Sequence, residues 1–238
     1  MILSELVQRS PIRIFEQSIH GGLGPGEIGV IASPHGVGKT SVLVQLALDK
    51  LLQSKKVIHV SFTQHAHYVL AWYEDIFNEI ISRKNLENAQ DVKNETVKNR
   101  VLMNFNQDGM SKDQILSSLR ALIVDGRFKP EAVIIDGFDF SRADREYVSH
   151  VKEFAATMGI SVWYSCSVND EGQQYDKQNI PLLIESYADL FDVVIVLEPK
   201  PDHIELSVSK DRDSCQKPGA AKSLAMRLDP KTLLILET

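Results

Sequence analysis

Cysteine is scarce in this chain: Cys166 and Cys215 are the only two among 238 residues. Two thiols cannot build a disulfide scaffold, and no Cys-x-x-Cys pair points to zinc. Long apolar runs are missing too. There is no stretch of 18 apolar residues, and the opening MILSELVQRSPIRIFEQ has no secretory apolar core. The closing ILET is not a lipidation box. These absences set the expectation of a cytoplasmic protein without membrane association. Positive charge is not in excess either: 26 Lys and Arg stand against 32 Asp and Glu, a formal charge of −6. That excludes a generally basic, phosphate-coating nucleic-acid binder, though not a local basic patch. What is present is ordinary for a globular domain, with 43% hydrophobic and 24% charged residues. Such a chain can bury a substantial core and is not expected to be disordered.

The hydrophobic pattern alternates between two periods. Residues 1–20 read as a short helix or strand leading into the glycine-rich turn 21–26. The apolar run 27–33 predicts a buried strand, and Leu43, Leu46, Ala47 and Leu51 predict a helix over 40–52. Further strands are expected over 55–62, 101–105, 131–136 and 160–165, and helices over 65–84 and 143–158. Ser111 and Gln114 form a capping-box pattern ahead of another helical run. The polar segment 85–100 reads as an exposed helix or a mobile insertion. Pro181 opens a helix to about Leu190. Four short runs, 192–198, 203–210, 223–229 and 232–237, then follow in close succession. Strand and helix alternating at this spacing imply a parallel sheet, and the tail reads as its antiparallel extension. A single domain over residues 1–238 is expected.

The most specific signal is Gly36-Val37-Gly38-Lys39-Thr40, set between a strand and a helix. Glycines let backbone N–H groups approach phosphate oxygens, and the helix N-terminus adds partial positive charge. Lys39 is suited to neutralise β- and γ-phosphate charge, and the Thr40 hydroxyl to hold Mg²⁺. The loop so defined comprises Ser33, Pro34, His35, Gly36, Val37, Gly38, Lys39, Thr40 and Ser41. It departs from the full phosphate-loop pattern at its first position, where Ser33 replaces glycine. The matching carboxylate is Asp136, ending the run Ala132-Val133-Ile134-Ile135. At the carboxyl edge of a parallel sheet, such an Asp can orient Mg²⁺ or its water. Asp136-Gly137 is equally a good turn dipeptide.

Taken together, Gly21-Gly22-Leu23-x-Pro25-Gly26-Glu27, the loop 33–40 and Ile134-Ile135-Asp136 resemble the RecA superfamily of P-loop ATPases. Its KaiC-like and DnaB-like branches are the nearest likeness, from about residue 20 to the end. IESYADLFDVVIVLE (184–198) resembles a helix-then-strand segment of the family, and Lys210-Asp211-Arg212 its K-x-R finger. DnaB-like members also lack the first glycine of the loop. The resemblance implies a RecA-like P-loop NTPase fold, α/β with a mostly parallel central sheet flanked by helices and antiparallel C-terminal strands. It also implies ATP and Mg²⁺ as ligands, and a homo-oligomeric ring or filament. In that assembly Lys210 and Arg212 would reach a neighbour's γ-phosphate. The other reading of these residues is a solvated charged turn.

Two departures bear on hydrolysis. The family usually places a catalytic Glu just past the second strand, where this chain has Gln64. Gln can orient water but cannot take its proton as a carboxylate does. The sensor position after the fifth strand holds Cys166 or Ser167, with Asn169 nearby. His65 and His67 read as loop or helix-start histidines rather than metal ligands. Asp139 serves either a metal or a turn. Trp72, Tyr73 and Phe77 read as core. The loop after the fifth strand carries Asp170, Glu171 and Asp176 against Lys177, the wrong sign for a phosphate-tracking groove. The expected function is therefore a slow oligomeric ATPase that couples nucleotide state to a protein partner. Its alternatives are a non-hydrolysing nucleotide-binding regulator, a DNA-dependent ATPase and a kinase.

Overall fold

A computed structural model describes residues 7, 10–62, 65–84, 88–105, 112–169, 174–212 and 222–237. The chain begins with α1 (Pro11–Ser18), β1 (Ile28–Pro34), α2 (Lys39–Leu52), β2 (Val57–Ser61) and α3 (Ala66–Lys84). It continues through α4 (Ala89–Lys98), β3 (Arg100–Asn104), α5 (Lys112–Val124), β4 (Ala132–Asp136), α6 (Arg145–Met158) and β5 (Ser161–Val168). The end is β6 (Val193–Pro199), β7 (Ile204–Asp211), β8 (Lys222–Leu228) and β9 (Ile235–Glu237). Short 3₁₀ segments occupy Phe140–Arg142 and Leu182–Leu190.

One nine-stranded sheet runs in the order β3-β2-β4-β5-β1-β6-β7-β8-β9 among the described residues. The first six of these positions are parallel, and β7, β8 and β9 continue antiparallel. The expected architecture, a mostly parallel sheet with an antiparallel tail, is therefore present. The central strands are apolar on both faces because helices cover both. On β4, Ile134 faces one core with α1, α2 and α3, while Val133 and Ile135 face the other with α5 and α6.

Local chemistry sets the helix ends. Ser10 accepts from the Ile12 amide at 3.3 Å, and Pro11 opens α1 without an N–H to leave unpaired. Asp144 caps α6 by accepting from the Tyr147 amide at 2.8 Å, and Gly159 closes it at φ +66°. The polar segment 85–100 contains a helix, α4, anchored by buried Thr96. The 182–190 segment is 3₁₀ rather than α, broken at Tyr187 with φ −138°. β9 is shorter than expected because Thr232 is held in a turn, its hydroxyl 2.7 Å from Asp229 Oδ2. Ser111, the proposed cap of α5, lies outside the described residues.

An ion-pair cluster fastens α1 to α2. Arg13 bridges Glu16 and Asp49, and Lys50 joins Glu16 to Glu131. Burial pushes the Asp49 carboxyl up to about 6, against the pull of Arg13.

Candidate functional site

β1 ends and α2 begins across the loop 35–38, so the loop sits at the carboxyl edge of the sheet. Gly36 and Gly38 both take left-handed backbone, at φ +76° and +108°. A Cβ on Gly36 would meet nothing within 4 Å, so open space faces the loop there. The α2 N-terminus carries no side-chain cap at Gly38. A fourteen-residue helix thus presents its positive end to that space.

Lys39 is buried and folds back over the loop. Its Nζ donates to Ser33 O at 3.0 Å, Ser33 Oγ at 3.1 Å and Pro34 O at 2.7 Å. The Ser33 hydroxyl in turn donates to Pro34 O at 2.9 Å. Serine at the first loop position is accommodated, and its hydroxyl becomes part of the lysine's cradle. His35 is exposed at the loop tip, Val37 is buried, and Ser41 donates to Leu233 O at 2.7 Å.

Asp136 sits two strands away from β1, with β5 between them. Its carboxylate is 3% exposed and meets the loop directly. Thr40 Oγ1 donates to Asp136 Oδ2 at 2.8 Å, and Ser165 Oγ donates to Oδ1 at 2.6 Å. Ser165 also accepts from the Gly137 amide at 2.7 Å. The structure therefore brings together Lys39, Thr40 and Asp136, as the sequence proposed, and adds Ser165. Asp139 is a turn residue: its Oδ1 accepts from the Ser141 amide and hydroxyl, at 2.9 and 2.6 Å. Cys166 is buried in β5, and burial pushes its thiol up to about 12, so it is no nucleophile at neutral pH. Gln64 lies outside the described residues. His65 and His67 are exposed, with rings stacked 5.9 Å apart. Tyr73 and Phe77 belong to the core.

Hard oxygen donors, a hydroxyl and a carboxylate, suit Mg²⁺. A buried lysine, a glycine loop over open space and an uncapped helix N-terminus suit a polyphosphate. The residues present fit a magnesium–nucleotide pair.

Lys210 and Arg212 lie elsewhere. Asp211 is in register with Val193, and Val193 with Gly29, at the start of β1. The loop lies beyond Pro34, the last residue of β1. Five residues of strand separate them by about 16 Å, so neither side chain reaches the loop of its own chain. Both are engaged locally. Lys210 Nζ donates to three carbonyls: Ala188 at 2.9 Å, Asp189 at 3.0 Å and Phe191 at 2.5 Å. Arg212 grips Glu27 with Nε and Nη2, each at 2.8 Å. Its other bonds go to Ile19 O at 3.0 Å, Gly22 O at 2.6 Å and Asp211 Oδ1 at 2.8 Å. These five bonds equal the donor count of a guanidinium. Burial alone would raise the Glu27 carboxyl, but Arg212 holds it below the usual range. Glu27 went unnoticed as a partner because 185 residues separate it from Arg212.

On the Asp136 face of the sheet, β2 buries His59. Its Nδ1 is 3.0 Å from Tyr73 Oη, and its Nε2 has no partner. Burial, more than the opposing charge of Asp136, pushes the imidazole down to about 4. His59 therefore stays neutral in the fold while the unfolded chain protonates it near 6.5, so its contribution is lost as pH falls from about 6.5 to 4. Asp49 works in the opposite direction. Its raised folded pKa, about 6 against 3.8, adds stability as pH falls over that interval. The two nearly cancel. Asp49→Asn is expected to expose the His59 loss, about 3 kcal/mol of extra acid destabilisation between pH 6.5 and 4. Urea unfolding across that range measures it, and parallel curves for the two proteins would refute the assignment.

Comparison with protein-family models and with characterised proteins finds no match. The fold and site define an α/β protein with a glycine-lysine loop facing a carboxylate at the carboxyl edge of its sheet.

Proposed function

We propose that this chain is a RecA-like P-loop protein that binds Mg-ATP, a slow oligomeric ATPase coupling nucleotide state to a protein partner. The observation that carries the reading is the 2.8 Å contact between Thr40 and Asp136 beside a lysine-bearing glycine loop. The carboxylate lies 96 residues along the chain from the hydroxyl, which adjoins the lysine, and a metal-bound triphosphate needs all three in one place.

In this reading the backbone of residues 35–41 and the Lys39 ammonium bind the phosphates. Thr40 and Asp136 hold Mg²⁺, which supplies charge neutralisation when bound. Ser165 fixes the Asp136 rotamer. Gln64 orients water without accepting its proton, which keeps turnover slow. Lys210 and Arg212 serve a neighbouring subunit's site, and to do so they exchange the carbonyl and Glu27 contacts that hold them within their own chain. The low positive charge and the acidic residues near 170–176 favour a protein partner over DNA.

Phosphate release from Mg-ATP over a wide range of protein concentration tests this. Specific activity should climb with concentration. A mixture of Lys39→Ala and Arg212→Ala chains should recover activity that neither has alone, because each can complete the other's site. No recovery would overturn the trans assignment. No release above the Lys39→Ala blank at any concentration would favour the non-hydrolysing regulator, for which Gln64 is the specific motive.

A further inference from the structure

The turn between β8 and β9 lies against the start of α2, and buried hydrogen bonds join the two. Ser41 Oγ and Gln45 Nε2 both donate to Leu233 O, at 2.7 and 2.9 Å. A carbonyl oxygen has two lone pairs, and α2 takes both. Gln45 Nε2 also donates to Ser41 O at 3.2 Å, and its Oε1 accepts from the Ile235 amide at 2.8 Å. One side chain therefore serves the backbone of residues 233 and 235 at once. Ser41 and Gln45 are both buried.

The turn is held in the shape that presents this carbonyl. Asp229 O accepts from the Leu233 amide at 2.7 Å, and the Asp229 amide donates to Leu234 O at 3.0 Å. The Asp229 carboxylate accepts from the Lys231 amide at 3.0 Å and the Thr232 hydroxyl at 2.7 Å. Arg83 of α3, 3.6 Å from the same carboxylate, ties the turn to a second helix. Within this frame Leu233 sits at φ +56°, left-handed backbone that leucine rarely adopts. Strained residues persist where their surroundings over-determine them, and they cluster at functional sites. The start of α2 has the matching need, since Gly38 gives it no side-chain cap. Leu228 and Leu233 close on that glycine: a Cβ there would stand 2.5 Å from Leu228 Cδ2 and 4.0 Å from Leu233 Cδ2. Thr40 lies between Gly38 and Ser41 in the chain, so the turn grips the helix start on both sides of it.

We infer that Ser41, Gln45 and Leu233 are positioning residues, through which the β8–β9 turn fixes the first turn of α2 and so holds Thr40 against Asp136. The inference rests on the nucleotide reading for its ligand, while the brace itself belongs to the free chain. The competing role is that of polar groups that only seal a buried contact. A seal affects stability alone. A brace acts through Thr40, so its loss should fall on the share of ATP binding that Mg²⁺ provides. Displacing a reacting group by about 1 Å can cost about a hundredfold, so a modest shift of Thr40 is enough to read.

Gln45→Met removes both arms of the amide with an unbranched apolar side chain, and Ser41→Ala is the milder cut. Amide hydrogen exchange of the free chain is read over residues 42–46, whose N–H groups bond back to carbonyls 38–42. It should quicken at least about tenfold in each variant, while residues 132–136 of β4 keep the wild-type rate. Calorimetric titration of ATP should show the tightening by Mg²⁺ reduced about tenfold, with Mg²⁺-free affinity within about twofold of wild type. Unchanged exchange over 42–46 in both variants would overturn the brace. So would quickening shared equally by 132–136, or an equal loss of ATP affinity with and without Mg²⁺. If the wild-type chain binds no ATP, the nucleotide reading fails by itself, and exchange over 42–46 still decides whether the turn braces the helix.

Discussion

Gly38→Ala is expected to lower stability by about 2–4 kcal/mol, more than Gly36→Ala two residues earlier in the loop. Both glycines have positive φ, +108° and +76°, so both substitutions carry backbone strain. They differ in what a side chain would meet. A Cβ on Gly38 would stand 2.5 Å from Leu228 Cδ2, and Leu228 is fully buried on β8. Nothing lies within 4 Å of the same atom on Gly36. Strain alone, about 1–2 kcal/mol, is therefore expected for Gly36→Ala. Urea denaturation of the two variants measures the difference, and equal losses would contradict the packing argument. The two variants separate a glycine the packing requires from one that faces open space, where the proposed phosphate would lie. Gly36→Ala should be the milder change to stability, because its open space is where phosphate would approach.

Lys39→Ala is expected to weaken Mg-ATP binding by at least about a hundredfold, the worth of a charged contact in a largely desolvated site. Asp136→Ala should act differently. It removes the acceptor of both Thr40 and Ser165, and with it the metal-binding carboxylate. ATP should then bind with the same weak affinity whether or not Mg²⁺ is present. Lys39→Ala should keep a residual Mg²⁺ dependence, because Thr40 and Asp136 remain. A loss of equal size and equal metal dependence in both variants would mean that the loop had been disrupted, rather than two separate contributions removed.

What the sequence made legible was local. The glycine-lysine loop and the strand-ending Asp136 each depend on neighbours a few residues away, so spacing and residue type were enough. The parallel sheet followed from strands alternating with helices of the right length. Contacts made by pairing distant strands were not legible. Ser165 carries no signature in Trp163-Tyr164-Ser165-Cys166, and it reaches Asp136 only because β5 pairs with β4. The Arg212–Glu27 clasp likewise depends on β7 ending beside the approach to β1. The sequence suggested a partner in another chain for Lys210 and Arg212; in the fold, carbonyls and Glu27 of the same chain already engage them. Segment 85–100 looked ambiguous because its composition is polar, and it contains a helix with Thr96 buried. The 182–190 segment had helical spacing, but Tyr187 leaves helical backbone there, and spacing alone does not reveal a 3₁₀ path.

Loop 33–41 and Asp136 are proposed to hold a magnesium–nucleotide together. A calorimetric titration of ATP into the full chain, with and without Mg²⁺ and with Lys39→Ala and Asp136→Ala in parallel, decides whether they do. One ATP per chain is expected, tightened by Mg²⁺ in the wild type, nearly lost in Lys39→Ala, and insensitive to Mg²⁺ in Asp136→Ala. Saturable binding that is unaltered by both substitutions, or no binding by the wild type with Mg²⁺ present, would contradict the proposal.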